Sequence, residues 1–188
     1  MTDRTEALAR LDQFHRSLRQ RLGLGGTAFV TAEQVHGNGV AVVAAPLREE
    51  KCFDGVDGLI TNQSGIALGI YVADCCAVFI VDPGRRAIGL VHSGKKGTES
   101  GIVPNAIDKM QEEFGSKPGD LVVQISPCIR PPHYEVDFAG EIIRQARSSG
   151  VEQIADTGRC TACDLHSYYS YRAEKGRTGR MLALLALN

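Results

Sequence analysis

Apolar side chains recur at steps of three and four near the start of the chain, at Leu8, Leu11, Phe14, Leu18 and Leu22. That spacing predicts a helix over residues 5–22 with these five on one face, ended by glycines at 23, 25 and 26. His15 falls off the stripe and is expected to be solvated. The pattern then shortens to apolar runs over 28–31, 40–43, 66–72, 77–81 and 87–91, each of strand length, with a further short strand in DGVDGLIT. DPGRR separates the runs at 77–81 and 87–91, and its Asp, Pro and Gly predict a hairpin. Helical steps return at Val103, Ile107, Met110 and Phe114, with Pro104 tolerated in the first turn, and again over 138–147. Strands are predicted over 121–125, 153–156 and 181–187, and the charged stretch 46–57 reads as an exposed loop. Strands outnumber helices, so the expected class is mixed α/β (α+β). It is a layered sandwich of mixed β-sheets with helices packed outside.

Composition narrows the picture. A chain of 188 residues is expected to form one domain over 1–188. The formal net charge is -1 with acids and bases interspersed, which argues against a nucleic-acid surface or an anionic-membrane anchor and for a small-molecule partner. No apolar run reaches transmembrane length, and MTDRTEALAR is polar, so a cytoplasmic monomer or homodimer is expected. In that reducing compartment the six cysteines read as buried thiols, metal ligands or a nucleophile rather than a disulfide framework.

The hairpin carries the first chemical clue. Cys75 enters its first strand and His92 leaves its second, so antiparallel pairing brings them to one sheet edge. His36, in QVHGNG, lies at another strand boundary beside a glycine. Two imidazoles and a thiolate would give zinc three ligands and leave a fourth position open. The wide spacing by itself is a poor metal signal, for which a buried thiol and hydrogen-bonded strand-end histidines are the commoner explanation.

Other polar groups surround this set. Gln34, two before His36 in an extended segment, would face the same way and orient a ligand or substrate, or make a strand-end hydrogen bond. Asp54 and Asp57 are a carboxylate pair that could do acid-base work, but beside glycines they read rather as turn formers. Asp74 is open to three roles: fixing a histidine tautomer, acting as a base, or capping a turn. Cys76 should face the core. Lys95 and Lys96 suit a phosphate or plain solvation. SPCIRPPHYEV places Cys128, Arg130 and His133 in a proline-rich loop expected to line the pocket, with His133 expected as a loop hydrogen-bonder. Cys160 and Cys163 have C-x-x-C spacing, redox-active or half of a zinc site that would recruit Asp164 or His166. Arg172 is a candidate anion contact.

The words QVHG, DGVDGLIT, ADCCAVFIVD, GLVHSGKKG, YEVD, the CT of CTAC, and SYR followed by TGRMLAL occur in an order that resembles the multicopper polyphenol oxidoreductase (laccase-like) family. That family includes purine nucleoside phosphorylases and the peptidoglycan editing factor. The resemblance runs from about Leu8 to Leu187. It implies a metal held by His36, Cys75 and His92, a site role for Asp74, and a pocket lined by Cys160. The chain departs from the family pattern at SGKKG, where an aromatic and an arginine are usual, and at Ser126, where glycine is usual. A glycine- and serine-rich segment usual at the family's N-terminus is not matched either. An altered activity, or a pocket completed by a partner chain, is expected from this.

The resemblance implies a zinc-dependent purine nucleoside phosphorylase acting on adenosine or inosine with phosphate, with adenosine deamination at the same metal. Copper-dependent polyphenol oxidation is a rival, although five histidines are few for a multicopper centre. A metal-free cysteine hydrolase or amidase using Cys75 and His92 is another, and a catalytically degenerate binding protein a third.

Overall fold

The computed structural model describes residues 13–187, except positions 46 and 48. Its strands are β1 (Ala28–Ala32), β2 (Val40–Val42), β3 (Lys51–Phe53), β4 (Gly58–Thr61), β5 (Ile66–Val72), β6 (Cys76–Asp82), β7 (Ala87–Ser93), β8 (Val122–Ile125), β9 (Gln153–Asp156) and β10 (Met181–Ala186). Helix α1 is described over 13–21, and α2 (Lys95–Glu99), α3 (Ile102–Phe114) and α4 (Phe138–Ser148) follow.

Side-chain alternation along the strands fixes the layers. In β5, Ile66, Leu68, Ile70 and Val72 join a buried cluster with Leu59, Ile88 and Leu90. β5 belongs to a four-stranded sheet ordered β10-β5-β1-β3, whereas Leu59, Ile88 and Leu90 come from a six-stranded sheet ordered β2-β4-β7-β6-β8-β9. That cluster is therefore the seam between two sheets stacked face to face. The other face of the six-stranded sheet offers Ile60, Cys76, Val78, Ile80 and Val91 to Val103, Ile107 and Met110 of α3 and Ile142 of α4. Both sheets mix parallel and antiparallel pairs, as the mixed α/β sandwich expectation requires.

The predicted hairpin is present, with Ala77 opposite His92 and Asp82 opposite Ala87. Asp82 accepts from the Arg85 N–H and holds the turn. Two elements were not legible. β3 lies inside the expected charged loop, where three residues too short to show a period pair in parallel with β1. SGKKG carries the short helix α2 rather than a loop.

Helix α1 presents a different face from the predicted one. Phe14 and Leu22 are exposed, while His15 and Arg19 are buried. The outward face of the four-stranded sheet explains this, because it offers Tyr71 and Phe29. His15 Nδ1 lies 3.1 Å from the Tyr71 hydroxyl, and the Arg19 guanidinium stacks 4.1 Å from the Phe29 ring centre. Leu8 and Leu11 lie outside the described residues.

None of the helices among the described residues is long and apolar enough to cross a membrane. The ring of Phe29 occupies the space above Gly69, where a Cβ would stand 2.4 Å from Phe29 Cε2. Gly69→Ala is expected to lower unfolding free energy by about 1–3 kcal/mol through overpacking. Urea denaturation measures it, and an unchanged midpoint would contradict this packing.

Candidate metal centre and its cleft

All the chemistry-bearing segments leave the sandwich at one end. β1 and β5 run parallel and both finish there, and antiparallel β10 begins there. In the other sheet β4 and β6 begin at that end while β7, β8 and β9 finish there, as their pairing directions require. Residues 73–75 carry the chain from the end of β5 to the start of β6, so the two sheet edges coincide.

His36, Cys75 and His92 meet at this end, with their ligand atoms all within 4.8 Å of one another. His36 is exposed, Cys75 half-buried and His92 buried. The two imidazoles cross edge to face with centres 4.9 Å apart. The pairing of Ala77 with His92 puts Cys75 opposite Gly94 and diagonal to His92. Gly94 makes room for the thiol: a Cβ there would stand 2.4 Å from Cys75 Sγ. One soft and two borderline donors in this geometry fit a divalent metal such as zinc.

Asp57 was expected to form a turn, and the structure gives it another task. It is fully buried at the start of β4. Its Oδ1 accepts from the His36 N–H at 2.9 Å and lies 2.8 Å from His92 Nδ1, while Oδ2 accepts from the Gly37 N–H at 2.8 Å. Burial alone would raise the Asp57 pKa, but hydrogen bonds from His92, Gly37 and His36 hold it below the usual carboxylate range. Burial likewise opposes charge on His92, yet the Asp57 and Cys75 hydrogen bonds raise its pKa to about 9. His36 moves the other way: burial first, then the charge of His92, lowers its pKa. The carboxylate holds His92 by Nδ1, leaving Nε2 for a metal.

Gln34 and His36 both have φ near +64°, so this segment is not extended. Left-handed backbone at a residue with a side chain costs about 1–3 kcal/mol, and the bonds to Asp57 offset it. Gln34 donates through Nε2 to the Tyr71 carbonyl at 2.6 Å and accepts from the Tyr71 N–H at 2.9 Å. It lines the cleft but spends its amide on anchoring the QVHG loop to β5.

The cleft above the three ligands has a volume of about 1020 Å³ and is lined by Gln34, Asp74, Lys95 and Arg172 among the predicted residues. Both Asp74 oxygens are engaged, Oδ1 accepting from the Thr161 hydroxyl at 2.7 Å and Oδ2 from the Arg172 N–H at 2.8 Å. Asp74 thus fastens two later segments beside Cys75 through one hydrogen bond to each oxygen. Cys160 is not among the lining residues; its thiol faces His133 at 3.9 Å. Lys175, Arg180 and the tyrosines at 71, 134 and 171 also line the cleft and were missed. Arg180 could have been found in the TGRMLAL word. Arg172 stacks 4.9 Å from the Tyr134 ring centre and pairs with Glu135 at 3.5 Å.

The chain matches a family model described as multi-copper polyphenol oxidoreductase laccase over residues 2–142 and 136–188. It is 32% identical over 192 residues to a purine nucleoside phosphorylase of Corynebacterium glutamicum, covering 88% of this chain and 77% of that protein. It is 29% identical over 208 residues to the purine nucleoside phosphorylase YlmD of Geobacillus stearothermophilus, covering 90% and 76%. The crystal structure of YlmD from Geobacillus stearothermophilus superposes with a TM-score of 0.85 at 28% identity, covering 92% of this chain and 78% of that one.

Asp57→Asn would turn an amide N–H toward at least one of three donors. Zinc affinity, measured by chelator competition, is expected to fall about 10–100-fold. Asp54→Asn, at an exposed turn, should leave it unchanged; equal effects would sink the assignment.

Proposed function

The chain belongs to the multi-copper polyphenol oxidoreductase laccase family, and from that premise we propose that it is a zinc-dependent purine nucleoside phosphorylase. Its substrates are adenosine- or inosine-type nucleosides and phosphate, with adenosine deamination as a second activity at the same centre. The observation that carries this reading is the meeting of His36, Cys75 and His92 at a cleft whose wall holds Lys95, Arg172, Lys175 and Arg180. Two imidazoles and one thiolate suit one zinc and could also hold one copper, whereas five histidines are few for a multicopper centre.

In phosphorolysis an oxygen of phosphate attacks the ribose anomeric carbon as the bond to the purine nitrogen breaks. Phosphate enters as an anion and the nucleoside is uncharged, so the cationic wall suits the phosphate and the tyrosine faces suit the base. Arg172 is set for this by its own backbone N–H on Asp74 and by its stacking on Tyr134. A bound zinc would supply Lewis-acid polarisation of a substrate oxygen. Asp57 keeps His92 in one tautomer throughout, which requires no rearrangement during turnover.

A second reading draws on the same line of groups. Asp57, His92 and Cys75 are connected in the order carboxylate, imidazole, thiol, the arrangement of a metal-free cysteine hydrolase. Iodoacetamide separates the two. Zinc protection of Cys75 supports the phosphorylase, and inactivation that zinc does not slow supports the hydrolase.

Zinc-loaded protein given inosine and phosphate is expected to release hypoxanthine and ribose 1-phosphate, read by chromatography, and Cys75→Ala should lose at least about 100-fold. Arg172→Ala should raise the KM for phosphate about tenfold or more, the value of a hydrogen bond to a charged group. Release of no base by zinc-loaded protein would overturn the proposal; ammonia from adenosine without phosphate would assign the deaminase activity.

A further inference from the structure

A second set of metal-ligand side chains stands apart from the first. His133, Cys160 and Cys163 place one nitrogen and two sulfurs within 4.8 Å of one another. His133 Nδ1 lies 3.4 Å from Cys163 Sγ and 3.9 Å from Cys160 Sγ. Tetrahedral zinc with its usual bond lengths holds a sulfur and a nitrogen about 3.6 Å apart, so both separations sit close to the bound geometry. The sequence offered Asp164 or His166 as partners for the C-x-x-C pair. Asp164 instead accepts from the Ser167 N–H at 3.1 Å and caps a local turn.

The convergence follows from topology. β8 and β9 are parallel neighbours, so the loops that follow them leave side by side. The backbones hold each other before any metal arrives. Cys128 N–H donates to the Arg159 carbonyl at 3.3 Å, and Thr161 N–H donates to the Cys128 carbonyl at 3.2 Å. Arg130 adds an ion pair to Asp156 at 2.5 Å. The three donors are thus carried on a framework already closed by main-chain bonds, and ordering them for a metal costs little further entropy.

From this geometry we infer that His133, Cys160 and Cys163 form a second zinc site, independent of the catalytic proposal. Two thiolates and an imidazole are a soft set that selects zinc over calcium or magnesium. His133 and Cys163 are exposed, so water completes the coordination and the metal exchanges with solvent. Bound there, it clips the proline-rich loop to the CTAC turn. The first of these carries Tyr134 and Glu135, which touch Arg172. The second carries Thr161, which touches Asp74. The site is therefore a structural clip on one wall of the cleft.

Metal content by mass spectrometry, on protein purified with a thiol reductant and equilibrated with zinc, tests this. About two zinc ions per chain are expected for the parent and about one for Cys75→Ala, for Cys163→Ser and for His133→Ala, with none in Cys75→Ala combined with Cys163→Ser. Cobalt substitution in Cys75→Ala should give the intense visible bands of a tetrahedral thiolate site, and Cys163→Ser should abolish them. Cys163 is exposed, so its variant keeps the fold, which circular dichroism verifies. Zinc lost entirely with Cys75→Ala and untouched by Cys163→Ser would overturn the clip while leaving the first site intact. A Cys160–Cys163 disulfide that survives the reductant and excludes zinc would overturn it as well. Zinc that survives Cys75→Ala, together with no nucleoside reaction by the zinc-loaded parent protein, would leave the clip standing and remove the proposed activity.

Discussion

The arrangement depends on one buried carboxylate. Asp57 has no access to solvent, and a carboxylate in that position is tolerable only when its lone pairs are occupied by donors. Its partners come from two places far apart in sequence: the N–H groups of His36 and Gly37, and Nδ1 of His92. One side chain therefore fixes both the loop that bears His36 and the ring of His92. The left-handed backbone at His36 is held by the same bonds, so loop shape and ligand orientation are a single property.

The sandwich supplies the rest by geometry of direction. Because strand ends rather than strand middles face the cleft, each functional group sits on a short segment anchored in a sheet by main-chain pairing. Cys75 and His92 are held by the hairpin, His36 by the segment after β1, Arg180 by the approach to β10. Asp74 then draws in the segments around Thr161 and Arg172, which have no strand of their own to align them. The cationic wall beside His36, Cys75 and His92 thus takes Arg172 and Lys175 from a segment without a strand, Arg180 from the approach to β10 and Lys95 from α2.

What could be read from the sequence was what local pattern encodes. The hairpin showed itself because two apolar runs flank an Asp-Pro-Gly turn, and that alone brought Cys75 and His92 together. Buried helices α3 and α4 were visible from their period. Helix α1 was misjudged because the sheet beneath it receives His15 and Arg19 through a tyrosine and an arene, and a hydrophobic stripe does not record such partners. Asp57 was hidden because an aspartate beside glycine has the same local signature whether it shapes a turn, as Asp54 does, or anchors a distant histidine. His133 and Cys160 lie 27 residues apart, in loops brought side by side by the parallel pairing of β8 and β9. That pairing has no signature in either loop.

The passage from β5 to β6 has a mechanical side. The chain leaves one sheet and enters the other within residues 73–75, so Cys75 rides on the joint between two slabs whose seam is apolar. His36 follows a strand of one slab, and His92 ends a strand of the other. The three donors thus gauge the alignment of the slabs, and a slip of about 0.5 Å between them is enough to spoil a preorganised site. Leu68, Ile88 and Leu90 fill that seam and so bear on the alignment of the three side chains. The tight, side-chain-filled seam is in this sense the spacer that sets the bite of the centre.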